Sequence, residues 1–411
     1  MNVGPDANSR LYLERFLLVL GGLALLTALV LAPLSFLWLY QSGDSGVERA
    51  AEAQASGTFA LFGSGISQDF IEYKLMLYKA IKPEIVAIGS SRVMQFRGAW
   101  FRESFLNMGG VAGNLAVLRS TIDAMLKISR PKAVILGIDF WWFLPQWEKD
   151  PHETARLASG TYNYSFANLK KPWEWLLEGK ISFRQLGAPI LGIFGKGFRA
   201  DRFGIMAQQT DDGFGPDGSW YYTAEITGMK QAPDYQFQDT LRNIGNGSRA
   251  FYHADKGQAG PAQSHVEAFA EIWCRLRSRG IQTFVFMPPL AARTLAAMGQ
   301  GDYPHLYRLR EAFLECGMDV ADLTNPALLG SDDCEFVDGF HGGEILYARI
   351  LRALAERWPA LLAYVNMEKI DAIVRDWQGH ALAADARLTK RPEIDFLGLG
   401  CQKRSRLEGK Q

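Results

Sequence analysis

Three short runs carry side chains that could do chemistry together. Gly89-Ser90-Ser91-Arg92 and Asn107-Met108-Gly109-Gly110 each close a short apolar run, and Asp338-Gly339-Phe340-His341 stands just before a helical stretch. A serine nucleophile needs a base within hydrogen-bond reach, and the base needs a group that orients it. Asp338 and His341, three apart on a turn, can set a carboxylate against one imidazole nitrogen and leave the other for a serine. That logic holds in any chain order. A tetrahedral intermediate also needs donors, and the backbone N–H groups of the serine and of Gly109 can supply two. A glycine suits that task because it lets the backbone approach closely. Each run alone has an ordinary explanation: Gly-Ser-Ser as a turn, Asp338 as a helix cap. The set is more specific than its members.

The elements that must position these runs follow from hydrophobic pattern. Glu84–Gly89, Phe105–Gly109, Ala133–Gly137, Gln282–Met287 and Asp319–Leu323 read as short strands, the clearest of them continuously apolar. Ile71–Lys82, Asn114–Ser129, Val266–Arg279, Tyr303–Cys316 and Glu344–Trp358 read as helices. Alternation of continuous apolar strands with helices predicts an α/β domain, a three-layer sandwich whose mostly parallel sheet is covered on both faces. Ligands bind such sheets at the carboxyl ends of the strands, where all three runs fall. Residues 141–260 differ in character, rich in Trp, Tyr, Phe and Gly, and read as an insertion after the third strand.

On these residues the chain resembles the SGNH/GDSL hydrolase superfamily over residues 84–358, less the insertion. Gly89-Ser90-Ser91 stands in place of the family's Gly-Asp-Ser block, which would make Ser91 the nucleophile. Asn107-Met108-Gly109 matches the second block, whose glycine donates to the oxyanion, and Asp338 and His341 match the final Asp-x-x-His. The third block departs. The family has Gly-x-Asn-Asp with an asparagine donor, whereas here the run is Gly137-Ile138-Asp139-Phe140. An ionised Asp139 would repel an oxyanion, so Asp139 is turned away or neutral, or another donor serves, with Arg92 and Asn114 as candidates. Arg92 could instead pair with an anionic substrate or, as the better structural reading, with Asp139.

Together with an N-terminal apolar segment, the domain is similar to membrane-anchored SGNH-like proteins of lipoteichoic acid D-alanylation and alginate O-acetylation. That resemblance implies acyl transfer, with acetyl as the expected group, to an extracytoplasmic glycan beside a multi-pass membrane-bound O-acyltransferase. An esterase with the same triad and an anchored scaffold with a vestigial site are the alternatives. Trp141, Trp142, Trp173, Trp175, Trp220, Tyr221 and Tyr222 are candidate sugar platforms, core packing being the competing explanation.

Phe16–Tyr40 contains no charged residue. About 20 apolar helical residues cross a bilayer, so residues 16–40 read as a transmembrane anchor surrounded by lipid. Trp38 and Tyr40 are expected at the interface. The run is longer than a cleaved signal's apolar region and ends in bulky residues rather than a small-x-small site. Arg10 and Arg15 precede it, which places residues 1–15 in the cytoplasm and the rest outside. In a Gram-negative host that is the inner membrane, with the domain facing the periplasm. Residues 41–65 read as a Gly/Ser/Ala linker, and residues 359–411 as a helix followed by a tail whose last ten residues are mobile.

Lysine plus arginine equal aspartate plus glutamate, 44 each, so no global charge favours nucleic acid. No His-x-x-x-His or Cys-x-x-Cys spacing supports a metal, and no Gly-x-Gly-x-x-Gly or P-loop supports a nucleotide, so no cofactor is implied. Of the four cysteines, Cys316 and Cys334 are near enough in sequence to pair, or are two structural thiols.

Overall fold

The computed structural model describes residues 7–66, 70–145, 147, 166–187, 198–247, 260–299, 303–383, 385, 387–388 and 391–403. The chain opens in α1 (Ala7–Ser42), which runs through Pro33 unbroken. It is the one helix among the described residues long and apolar enough to cross a membrane. One face of its last turns is turned into the protein. Ser35, Trp38 and Leu39 are fully buried. The apolar run therefore divides. Phe16–Leu34, about 28 Å of helix at 1.5 Å per residue, matches a hydrocarbon core, and beyond it Ser35, Trp38 and Leu39 turn into the protein while Phe36, Leu37 and Tyr40 stay exposed. Trp38 is not an interfacial aromatic, because the insertion covers it.

Residues 43–65 are not a free linker. They form α2 (Val47–Ala55) and a two-residue strand, Leu61–Phe62. Val47, Ala50, Ala51 and Gln54 make one buried face. Gln54 donates to the carbonyls of Ala60 and Phe214. Small residues that suggest a flexible tether here allow close packing instead. Asp44 ties the exit of α1 down, accepting from the Gly65 and Ile205 amides at 2.7 and 2.9 Å. Burial raises its carboxyl to about 6.

Five strands form the central sheet: β1 (Ile85–Gly89), β2 (Phe105–Gly109), β3 (Ala133–Gly137), β4 (Gln282–Met287) and β5 (Val320–Asp322). They lie in the order β2-β1-β3-β4-β5, every neighbour parallel. Alternate side chains serve opposite faces. Val86, Ile88, Leu106, Met108, Val134 and Leu136 pack with α3 (Phe70–Ile81), α4 (Leu115–Ile128), α5 (Gln263–Ser278) and α6 (Pro304–Glu315). Ile85, Ala87, Phe105, Ala133, Ile135 and Phe286 pack with α7 (Glu344–Arg357) and α8 (Met367–Trp377). Two covered faces explain why the strands read as continuous apolar runs, and the three layers follow directly.

The insertion joins the preceding segment in a second sheet. Arg202–Phe203, Leu61–Phe62, Gly213–Phe214 and Trp220–Tyr221 lie side by side in that order. Buried Lys74 of α3 binds this unit to the central sheet by donating to the carbonyls of Asn107 and Gly218. Residues 146, 148–165, 188–197 and 248–259 of the 141–260 region lie outside the described residues, as do residues 404–411 of the tail. Lys403, at the start of the stretch expected to be mobile, is held: its ammonium donates to the carbonyls of Cys334 and Gly379. The disulfide joins Cys334 to Cys401, and Cys316 is free and exposed. Cys316 ends α6, whereas residues 391–403 return along the loop that carries Cys334. Long-range chain path, not closeness in sequence, chose the partner.

Candidate active site

Ser91 opens a tight 3₁₀ turn (Ser91–Val93) immediately beyond β1. The turn needs Gly89, because a Cβ there would stand 2.5 Å from the Gly137 carbonyl oxygen. Ser90 caps the turn, its side chain accepting from the Arg92 amide. Ser91 Oγ lies 2.8 Å from His341 Nε2. On the other side of the ring, Nδ1 lies 2.7 Å from Asp338 Oδ2 and 3.0 Å from Oδ1. Asp338 Oδ1 also accepts from the amides of Phe340 and His341, at 2.8 and 2.7 Å. One carboxylate thus shapes the turn and orients the imidazole. Sequence separates Ser91 from His341 by 250 positions, and the parallel sheet brings them together beyond its carboxyl edge.

Burial would lower the His341 pKa, but the Asp338 carboxylate outweighs it and the net shift is upward. Burial likewise opposes ionisation of Asp338, yet the imidazolium and the hydrogen bonds to its oxygens hold it below the usual carboxylate value. Only neutral His341 can accept the serine proton. Labelling of Ser91 by an acylating or phosphonylating reagent is therefore expected to rise with pH through a midpoint above about 6.5. A stopped-time labelling series from pH 5 to 9 checks this, and a flat profile would refute His341 as the base. Stability carries the opposite sign for the histidine. Its raised value contributes stability that is complete below about 6.5 and lost as pH rises through the folded value. Asp338 contributes above about 3.9, and its share is lost as pH falls.

Arg92 and Asp139 form a buried ion pair, Nη1 to Oδ1 at 2.8 Å. Burial raises the Asp139 carboxyl despite the Arg92 charge. Three more of its five N–H donors are spent on carbonyls: Phe340 at 3.1 Å, Pro288 at 2.8 Å and Pro289 at 2.7 Å. Arg92 therefore ties the serine turn to the ends of β3 and β4 and to the histidine loop. Buried and with four of its five donors engaged, it is placed as a structural clamp rather than as a free donor for an oxyanion. Arg92 is the counter-charge of Asp139, which answers how a carboxylate is tolerated in this buried position.

The expected second donor is also engaged. The Gly109 amide donates to Asn107 Oδ1 at 2.7 Å, and Asn107 Nδ2 in turn holds the carbonyls of Val93 and Phe96. Asn114 caps α4, its side-chain oxygen accepting from Val117 N–H. Among the described residues no hydrogen-bond partner stands on the Ser91 amide, which is the donor left for an oxyanion. Asn107 was not among the candidates, although a lone amide side chain inside an apolar strand was a visible signal.

The aromatic candidates are packed rather than presented. Trp141, Trp142, Trp220 and Tyr221 are all buried. Trp141 lies over the Arg92 guanidinium. Trp220 packs edge-on against Phe214, and Tyr221 stacks with Arg97. Tyr222 is half-buried beside Trp220. Trp173 and Trp175 meet α1. Trp141, Trp142, Trp175, Trp220 and Tyr221 are buried rings rather than exposed sugar platforms, although Trp142 and Tyr221 each line a cleft. No protein-family model and no curated protein matches this chain.

Proposed function

We propose that this chain is a membrane-anchored serine O-acyltransferase that moves an acyl group, acetyl being the expected one, onto an extracytoplasmic polysaccharide. The observation that carries the proposal is the unbroken hydrogen-bonded chain from Ser91 through His341 to Asp338. Ser91 Oγ attacks the acyl carbonyl while His341 Nε2 takes its proton. The leaving group departs with that proton, and acyl-Ser91 remains. A glycan hydroxyl then attacks, His341 takes the hydroxyl proton, and the proton returns to Ser91 as the ester forms. The resemblance to the SGNH superfamily and the apolar length of α1 support the anchored, family-like reading, in which a multi-pass membrane-bound O-acyltransferase supplies the acyl group.

One specific observation favours a second reading. The Gly109 amide is occupied and Asp139 is paired with Arg92, so oxyanion stabilisation is weaker than in a complete hydrolase site. An anchored scaffold with residual reactivity follows from that.

Treating the purified full chain with a fluorescent fluorophosphonate separates the two. Labelling is expected on the intact chain, with a loss of about 100-fold or more in Ser91→Ala and His341→Ala. Labelling that survives both substitutions removes the triad, and an unreactive intact chain leaves the scaffold. An acyl donor supplied with and without a glycan then distinguishes transfer from hydrolysis.

A further inference from the structure

Among the described residues, the two most exposed large apolar side chains outside the anchor are Leu177 at 88% and Phe183 at 80%, more exposed than any on the anchor, where Leu18 reaches 75%. Both lie in residues 166–187, and this segment is built onto α1. Trp173 Nε1 donates to Ser35 Oγ at 2.7 Å. Trp38 Nε1 donates to the Gln185 carbonyl at 3.0 Å. Trp38 also packs against Trp175, ring centroids 5.6 Å apart, within a small cluster that includes Ile181 and Leu186. These contacts fall on Ser35–Leu39, directly after the last residue of the 28 Å lipid-length stretch. The segment is therefore held at the level where α1 leaves the hydrocarbon.

Its composition suits that level. Leu177 lies one helical turn after Trp173, on the stripe that meets the anchor. Four cations, Lys170, Lys171, Lys180 and Arg184, stand against two carboxylates, Glu174 and Glu178. Trp, Leu and Phe beside Lys and Arg is the pattern of a segment lying in the headgroup region.

We propose that residues 166–187 are a second membrane contact, in which Leu177 and Phe183 insert into the headgroup–acyl boundary of the leaflet that α1 exits. This rests on α1 being a membrane anchor, and it goes further. Two attachment points joined by buried tryptophans fix the tilt of the domain, and so the height and direction in which the Ser91 site faces the membrane. A single flexible tether would leave both free.

The test uses the full chain carrying Cys274→Ser and Cys316→Ser, reconstituted in phosphatidylethanolamine–phosphatidylglycerol vesicles, with the Cys334–Cys401 disulfide left oxidised. Bimane is attached in separate variants at Leu177→Cys, Phe183→Cys and, inside the span, Leu25→Cys. Lipids bearing a nitroxide near the top of the acyl chain are expected to remove roughly half the emission at 177 and 183, while aqueous iodide removes little. Iodide quenching at 177 and 183, with Leu25→Cys still quenched by a nitroxide deep in the bilayer, overturns the inference and leaves the anchor standing. A Leu25→Cys label out of reach of lipid nitroxide sinks both. Labels at 177 and 183 shielded from lipid and iodide alike mean that a second copy covers them, and overturn the membrane contact.

Discussion

Arg92→Ala is expected to destabilise the protein by about 3–5 kcal/mol, the usual cost of removing one partner of a buried ion pair. The loss has two parts. Asp139, 1% exposed, would keep a carboxylate in an apolar site with no counter-charge. The carbonyls of Phe340, Pro288 and Pro289 would lose their donor in a place water does not reach. Urea unfolding of the full chain in detergent measures the first effect, and Ser91 labelling reports the second, because the histidine loop loses its tie. Arg92→Met combined with Asp139→Leu is expected to recover most of the stability, since a hydrophobic pair of similar volume avoids the desolvation cost. An Arg92→Ala protein within about 1 kcal/mol of the parent would show that the pair is not what holds these strand ends together.

Asp338→Asn is expected to lower Ser91 reactivity by about 10³- to 10⁴-fold with little change in stability. An amide keeps an oxygen for the Phe340 and His341 N–H groups, so the turn survives. The group facing His341 Nδ1 becomes an N–H donor, which favours the tautomer that carries its proton on Nε2. That nitrogen can no longer accept from Ser91. The carboxylate that raises the His341 pKa is gone as well. The rising limb of the labelling profile should therefore move to lower pH while its plateau collapses. Rate constants for fluorophosphonate labelling of the parent and the variant across pH give both readouts. A full plateau in the variant would mean that Asp338 does no more than cap the turn.

Much of the scaffold was legible in the chain because local pattern was enough. Phe105–Gly109, Ala133–Gly137 and Gln282–Met287 appear as strands with the bounds read from sequence. Their continuous apolar character and closing glycines or prolines are local properties. Ser91, Asp338 and His341 were legible as residue types at strand ends, and the structure brings these three into one hydrogen-bonded chain. Gly109, Asn114 and Arg92 were legible as residues near the site but not in their bonding. Each has its hydrogen-bonding capacity claimed by a neighbour in the fold, and composition does not reveal who claims it.

Aromatic burial was not legible for a similar reason. Trp220 has the same sequence signature whether it lines a cleft or fills a core, and the second sheet decides between these. Cys401 lies 67 residues from Cys334, a pairing set by the return of the tail. The sequence by itself determined the anchor-length helix, the parallel sandwich and the set Ser91, His341 and Asp338, since periodicity, strand ends and short spacing encode them. Only the tertiary structure decided that Arg92 is a clamp, that the Gly109 amide is occupied and that Trp38 belongs to the domain. Those outcomes depend on which distant carbonyl, amide or ring arrives within about 3–6 Å, and no local pattern carries that information.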